Sequence, residues 1–62
     1  MSFRKVKAKY ISDRKTVFFQ KGETYDAYVD DRYPQLVFFY FPAEVMDEEG
    51  YYGRVRSLFK IS

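Results

Sequence analysis

The sequence predicts a small all-β domain, a barrel or sandwich of short strands. Three observations carry that prediction. Apolar and polar residues alternate in "RKVKAKYI" (4–11) and "TYDAYVD" (24–30), the period-2 pattern of half-buried strands. Turn-forming residues interrupt the chain every several residues. Nowhere do apolar residues recur at helical spacing over ten residues or more.

Each segment has its own signal. In 4–11, Val6, Ala8 and Tyr10 share one face and Lys5, Lys7 and Lys9 the other. "SDRKT" (12–16) is polar and reads as a loop, "VFF" (17–19) is apolar, and "QKG" (20–22) closes with a turn glycine. Gly22 is expected at positive φ, which glycine adopts without steric cost. In 24–30, Tyr25, Ala27 and Val29 oppose Asp26, Tyr28 and Asp30. "DDRYPQ" (30–35) reads as a turn, because Pro34 pushes Tyr33 toward extended geometry. "LVFFYF" (36–41) is a third strand, stopped by Pro42, which has no N–H to give a ladder. "AEVM" (43–46) is a candidate short strand, and "DEEG" (47–50) a charged turn. "YYGRV" (51–55) resumes extended structure, "RSLF" (56–59) suits one helical turn, and "KIS" ends the chain.

The third strand has no polar alternation, so it puts large rings on both faces. Val37, Phe39 and Phe41 are assigned inward. Phe38 and Tyr40, with Leu36, then point outward, where a Tyr hydroxyl is more easily satisfied. An outer apolar surface of several hundred Å² would mark an interface.

Sixty-two residues accommodate a single domain, 1–62. So small a chain buries only ~60% of its unfolded surface, and no cysteine is present to staple it. Seven Phe and seven Tyr must supply the core. The chain also lacks histidine. Thiol nucleophiles, imidazole bases and the usual nitrogen and sulfur metal ligands are therefore missing. No serine stands in a nucleophile-elbow motif. The acids Asp47, Glu48 and Glu49 lie in a turn without a calcium-loop pattern. The expectation is a non-enzyme with no cofactor, no metal site and no catalytic residue. No apolar stretch approaches the ~20 residues of a membrane span. The basic start lacks the apolar segment of a secretory signal, so a cytoplasmic setting is expected.

Charge is unevenly laid out. Residues 1–15 carry Arg4, Lys5, Lys7, Lys9, Arg14 and Lys15 against Asp13 alone, and the last twelve add Arg54, Arg56 and Lys60. Residues 16–50 hold the other acids against only Lys21 and Arg32.

Two stretches resemble SH3 domains. "VFFQKGETYDAYVDD" is similar to the segment leading into the second strand of that family, with Val17, Phe19, Lys21, Gly22, Glu23 and Tyr25 in matching places. "GRVRSLFKIS" is similar to the terminal segment, with Gly53, Val55, Ser57 and Phe59 in the same order. "KAKYIS" echoes the alanine-x-tyrosine opening at Ala8 and Tyr10. The resemblance implies a five-stranded SH3-like barrel with a short helical turn near the C-terminus. The chain is more similar to the small free-standing SH3-like proteins of bacteria and phages, many of which have no assigned activity, than to the members that bind proline-rich peptides. An OB-like barrel is the competing architecture.

Family members that bind proline-rich peptides use aromatics at positions matching Tyr10 and Phe59. Here Ser12 stands for the second aromatic, Arg56 replaces the proline, and there is no tryptophan. The expected function is a protein-interaction module that binds a protein or peptide partner, or a second copy of itself, through Tyr10, Phe38, Tyr40 and Phe59. In such a barrel the first and last strands are neighbours. Lys5, Lys7, Lys9, Arg54, Arg56 and Lys60 are then expected to form one basic patch. That patch is either an edge-protecting lysine face or a nucleic-acid surface, with phosphate contacts and stacking rings.

Overall fold

The computed structural model describes residues 3–62. Five strands form one antiparallel sheet: β1 (Arg4–Tyr10), β2 (Thr24–Val29), β3 (Leu36–Phe41), β4 (Gly50–Val55) and β5 (Phe59–Ile61). Their order across the sheet is β4-β3-β2-β1-β5. The first and last strands are neighbours, as expected. β3 is interior but not central, since β2 holds the middle place. One 3-10 turn, Arg56–Leu58, joins β4 to β5. Among the described residues no helix is long and apolar enough to cross a membrane.

The inner face follows the alternation. Ala8 and Tyr10 of β1, Ala27 and Val29 of β2, and Val37, Phe39 and Phe41 of β3 are buried together with Phe59 and Phe19. Val6 and Tyr25 pack against this core. Registers agree with the side-chain faces, because residues directly opposite in an antiparallel pair project to the same side. Ala8 pairs with Tyr25, Tyr10 with Phe59, and Phe39 with Tyr52.

Phe19 is not on a strand. It comes from the β1–β2 connection and plugs the centre, with ring centroids 4.7 Å from Phe39, 5.1 Å from Phe59, 5.3 Å from Tyr25 and 5.6 Å from Tyr10. The Thr16 hydroxyl accepts the Phe19 N–H at 2.8 Å and sets the entry of that ring. Val17, two residues earlier, is 90% exposed. Phe18 instead packs on Phe41.

Two expectations need correction. Residues 43–46 form a turn rather than a strand. Pro42 closes β3, and its carbonyl accepts the N–H groups of Val45 (3.0 Å) and Met46 (3.1 Å), curling the chain. Asp30, expected on the solvated face of the second strand, is buried. It ends β2 and organises the turn to β3. Its Oδ1 accepts the Arg32 backbone N–H at 2.9 Å, and its Oδ2 accepts the Arg32 guanidinium at 2.7 Å.

That geometry has a pH consequence. The Arg32 side chain and then its backbone N–H hold the Asp30 carboxyl below the usual carboxylate range. A folded-state value below the unfolded one contributes stability above the unfolded value, and loses it as pH falls through the folded one. Stability should therefore decline from about pH 4 downward. Asp30→Asn should lower stability at neutral pH and flatten that acid decline. Thermal melts of both proteins across the acid range check this, and parallel curves would remove Asp30 from the account.

Gly22 has φ +90°. Its N–H donates to the Tyr10 carbonyl at 2.8 Å, and the Glu23 N–H returns to Gln20 at 3.1 Å. A Cβ there would meet no atom within 4 Å, so the objection is chiefly to the backbone conformation. Gly22→Val should cost about 1–3 kcal/mol, the range for a non-glycine residue held in a sparse region. An unchanged denaturation midpoint would reject this turn.

Candidate functional site

Rings lie on the outer face too. Lys5 pairs with Tyr28, Tyr28 with Phe38, and Phe38 with Gly53, giving one outward row across four strands. Tyr40 pairs with Tyr51 beside it, and Leu36 with Val55 on the other side. Phe3, just before β1, stacks on Tyr28 (4.9 Å, 3° between planes) and meets Tyr51 edge-on at 5.4 Å. Tyr28 and Tyr51 meet edge-on at 5.3 Å, and Tyr40 touches Tyr51 at 5.5 Å. Tyr33, from the β2–β3 turn, covers Phe38 from the side at 5.9 Å.

Gly53 makes this layer possible. A Cβ at that position would lie 3.2 Å from the Phe38 ring and 3.3 Å from Leu36, so a larger residue would push the ring off β4. Phe38 thus becomes half-buried beneath its own neighbours. Tyr40 and Tyr51 stay 48% and 51% exposed. A groove of about 370 Å³ continues the face past Leu36 and Val55 to Arg56 and Ser57.

The four aromatics proposed from sequence do not share this surface. Phe38 and Tyr40 belong to it. Tyr10 and Phe59 are buried in the core on the opposite side of the sheet, 5.2 Å apart. The Tyr10 hydroxyl is spent on the Arg14 carbonyl at 2.6 Å. Their pairing across β1 and β5 turns both rings inward, which takes them out of any surface for docking. Phe3, Tyr28 and Tyr51 take their place on the outer face. Alternation already turned Tyr28 outward. Only the registers bring it beside Phe38 and Tyr51.

The six basic residues are likewise divided. Lys5, Lys7 and Lys9 project outward from β1, and Lys60 of β5 stands directly opposite Lys9. Lys7 hydrogen-bonds Asp26, and Lys5 lies 3.8 Å from the same carboxylate. These contacts, the Lys7 hydrogen bond first, hold Asp26 below the usual carboxylate range. Arg54 is elsewhere. Its partner in β3 is the core residue Val37, so it points inward and lies over the Phe41 ring at 5.5 Å. Arg56 reaches the Pro34 carbonyl at 3.4 Å. The reason is topological: β5 adjoins β1, whereas β4 forms the far edge of the sheet.

Acids border the other flank of the rings. The Tyr40 hydroxyl donates to Glu49. That bond, with burial and then smaller pushes that include Glu44, holds the hydroxyl above the ordinary tyrosine range. Among the described residues, no three carboxylates gather closely enough to hold a metal ion.

A cleft of about 500 Å³ opens in the β1–β2 connection, between Arg14, Lys15, Thr16 and Lys21, with Phe19 at its floor. Lys21 is engaged by Asp13 across it. It lies apart from the outer rings. Comparison with family models, curated proteins and solved structures finds no match for this chain.

Proposed function

We propose that this protein is a non-catalytic, SH3-like interaction module of the cytoplasm, and that it docks another protein, or a second copy of itself, on the outer aromatic face of its sheet. The carrying observation is the continuous cluster of Phe3, Tyr28, Phe38, Tyr40 and Tyr51, in which two tyrosines remain about half exposed. Tyrosine suits such a surface, because its ring packs against apolar groups while its hydroxyl keeps a polar partner. Aromatic anchors of this kind commonly carry interface energy. Adjacent first and last strands and a 3-10 turn before β5 support the SH3-like architecture. The burial of Tyr10 and Phe59 argues against the proline-rich-peptide mode that the resemblance would imply.

Nucleic acid is the second reading. It is favoured by Lys9 and Lys60 standing side by side on the same face as the rings. It is weakened by Asp26, which occupies Lys5 and Lys7, and by the inward turn of Arg54.

A photo-crosslinking residue placed at Tyr51, in the cell that makes this protein, should give a discrete protein adduct. The same probe at Val17, exposed on the β1–β2 connection, should not. Adding Tyr40→Ser should remove the Tyr51 adduct. A nucleic-acid adduct at Tyr51 would favour the second reading, and no adduct there would end the docking proposal.

A further inference from the structure

We infer that the partner of the outer face is a second copy of this chain, joined by a two-fold axis running along the strands. The inference rests on the docking function proposed above and names its occupant. Three observations lead to it. First, the aromatic strip has flanks of opposite sign: Lys9 and Lys60 on the β1–β5 side, and on the β3–β4 side Glu49, which accepts the Tyr40 hydroxyl, with the exposed Glu44 in the same connection. A two-fold axis parallel to the strands lays each flank over the opposite flank of the other copy. An isologous interface requires such self-complementarity, since the same patch serves both subunits.

Second, Lys9 and Lys60 form a directly opposed like-charge pair, an arrangement that destabilises a sheet. Among the described residues neither has an ion-pair partner. Carboxylates from another copy would relieve that repulsion.

Third, size matters. A specific interface takes ~800 Å² from each partner, about a sixth of the 4682 Å² this chain exposes. So large a share calls for a whole face, flanks included. The outer sheet face supplies both an aromatic centre and a charged rim, the usual division of an interface. Packed this way, the two sheets stack as layers ~10 Å apart, with the tyrosines of both copies between them.

Sedimentation equilibrium of the purified protein, up to about 1 mM, tests the inference at the weak end of specific association. The parent should dimerise. Lys9→Glu with Lys60→Glu, and separately Glu44→Lys with Glu49→Lys, should each weaken the dimer roughly tenfold or more, as loss of close charge pairs does. An equimolar mixture of the two variants should recover association. All four positions are exposed, and melting curves would show that both variants fold. Tyr40→Ser with Tyr51→Ser should abolish the dimer outright. A parent that stays monomeric overturns the inference. So does a dimer indifferent to both charge swaps, because its interface then lies elsewhere. A monomeric parent leaves intact the possibility of a different protein on the same face, which the Tyr51 crosslink decides separately.

Discussion

Replacing Phe19 with alanine is expected to unfold most of the protein at room temperature. Deleting a buried phenylalanine ring costs about 3–5 kcal/mol. A 62-residue chain holds only about 3–9 kcal/mol in total, at the usual stability per residue. Phe19 touches rings from four of the five strands: Tyr10, Tyr25, Phe39 with Phe41, and Phe59. None of these rings can move in to fill its place without leaving its own strand. Phe18→Ala is the control. Its ring is half-buried and packs on the side of Phe41, so the cost should be clearly smaller. Denaturant titration of both variants measures the difference. Equal losses would mean that the core does not centre on Phe19.

The second large effect contrasts two adjacent residues. Phe39→Ala should also cost about 3–5 kcal/mol, since Phe39 is buried against Phe19 and Phe59. Tyr40→Ser should leave the chain folded, because Tyr40 is half exposed, with its ring beside Tyr51 and its hydroxyl on the exposed Glu49. Its loss should instead be felt in association. Apart from one hydroxyl, the two side chains differ in which way the strand turns them. If Tyr40→Ser unfolds the protein and Phe39→Ala does not, the strand is shifted by one residue, which would move every side chain to the other face.

Much of the sheet was legible in the sequence. The alternation of residues 4–11 and 24–30 identified the buried sides of β1 and β2. In β3, where alternation is absent, hydroxyl chemistry was enough to place Tyr40 outward and Phe39 inward. Other features were hidden for physical reasons. "VFF" in a loop has no period, so nothing told which ring would turn to the core. Residues 43–46 follow a strand and a proline with no turn residue of their own, yet the Pro42 carbonyl captures two of their N–H groups and curls them. Arg54 looked like part of a basic surface until its register beside Val37 turned it inward. The outer cluster depended most on pairing. Phe3, Tyr28 and Tyr51 are far apart in sequence, and only the register across β1 to β4 brings them together.

The two long connections of this fold should answer differently to solvent. The β1–β2 connection sends Phe19 into the middle of the molecule and ties Gly22 to the Tyr10 carbonyl. It cannot open without withdrawing the central ring. Its backbone amides near Gly22 should therefore exchange with deuterium only when the whole molecule opens. The β3–β4 connection is held by the Pro42 carbonyl and by two exposed bonds, the Tyr52 hydroxyl to the Glu48 carbonyl and the Tyr40 hydroxyl to Glu49, and Met46 is its residue packed against the core. It can lift away by itself, so a protease should nick the chain there first. Inserted residues should be tolerated at the same place. The longer loop thus behaves as interior, and the acidic tip between β3 and β4 is the natural point at which to cut or lengthen this chain.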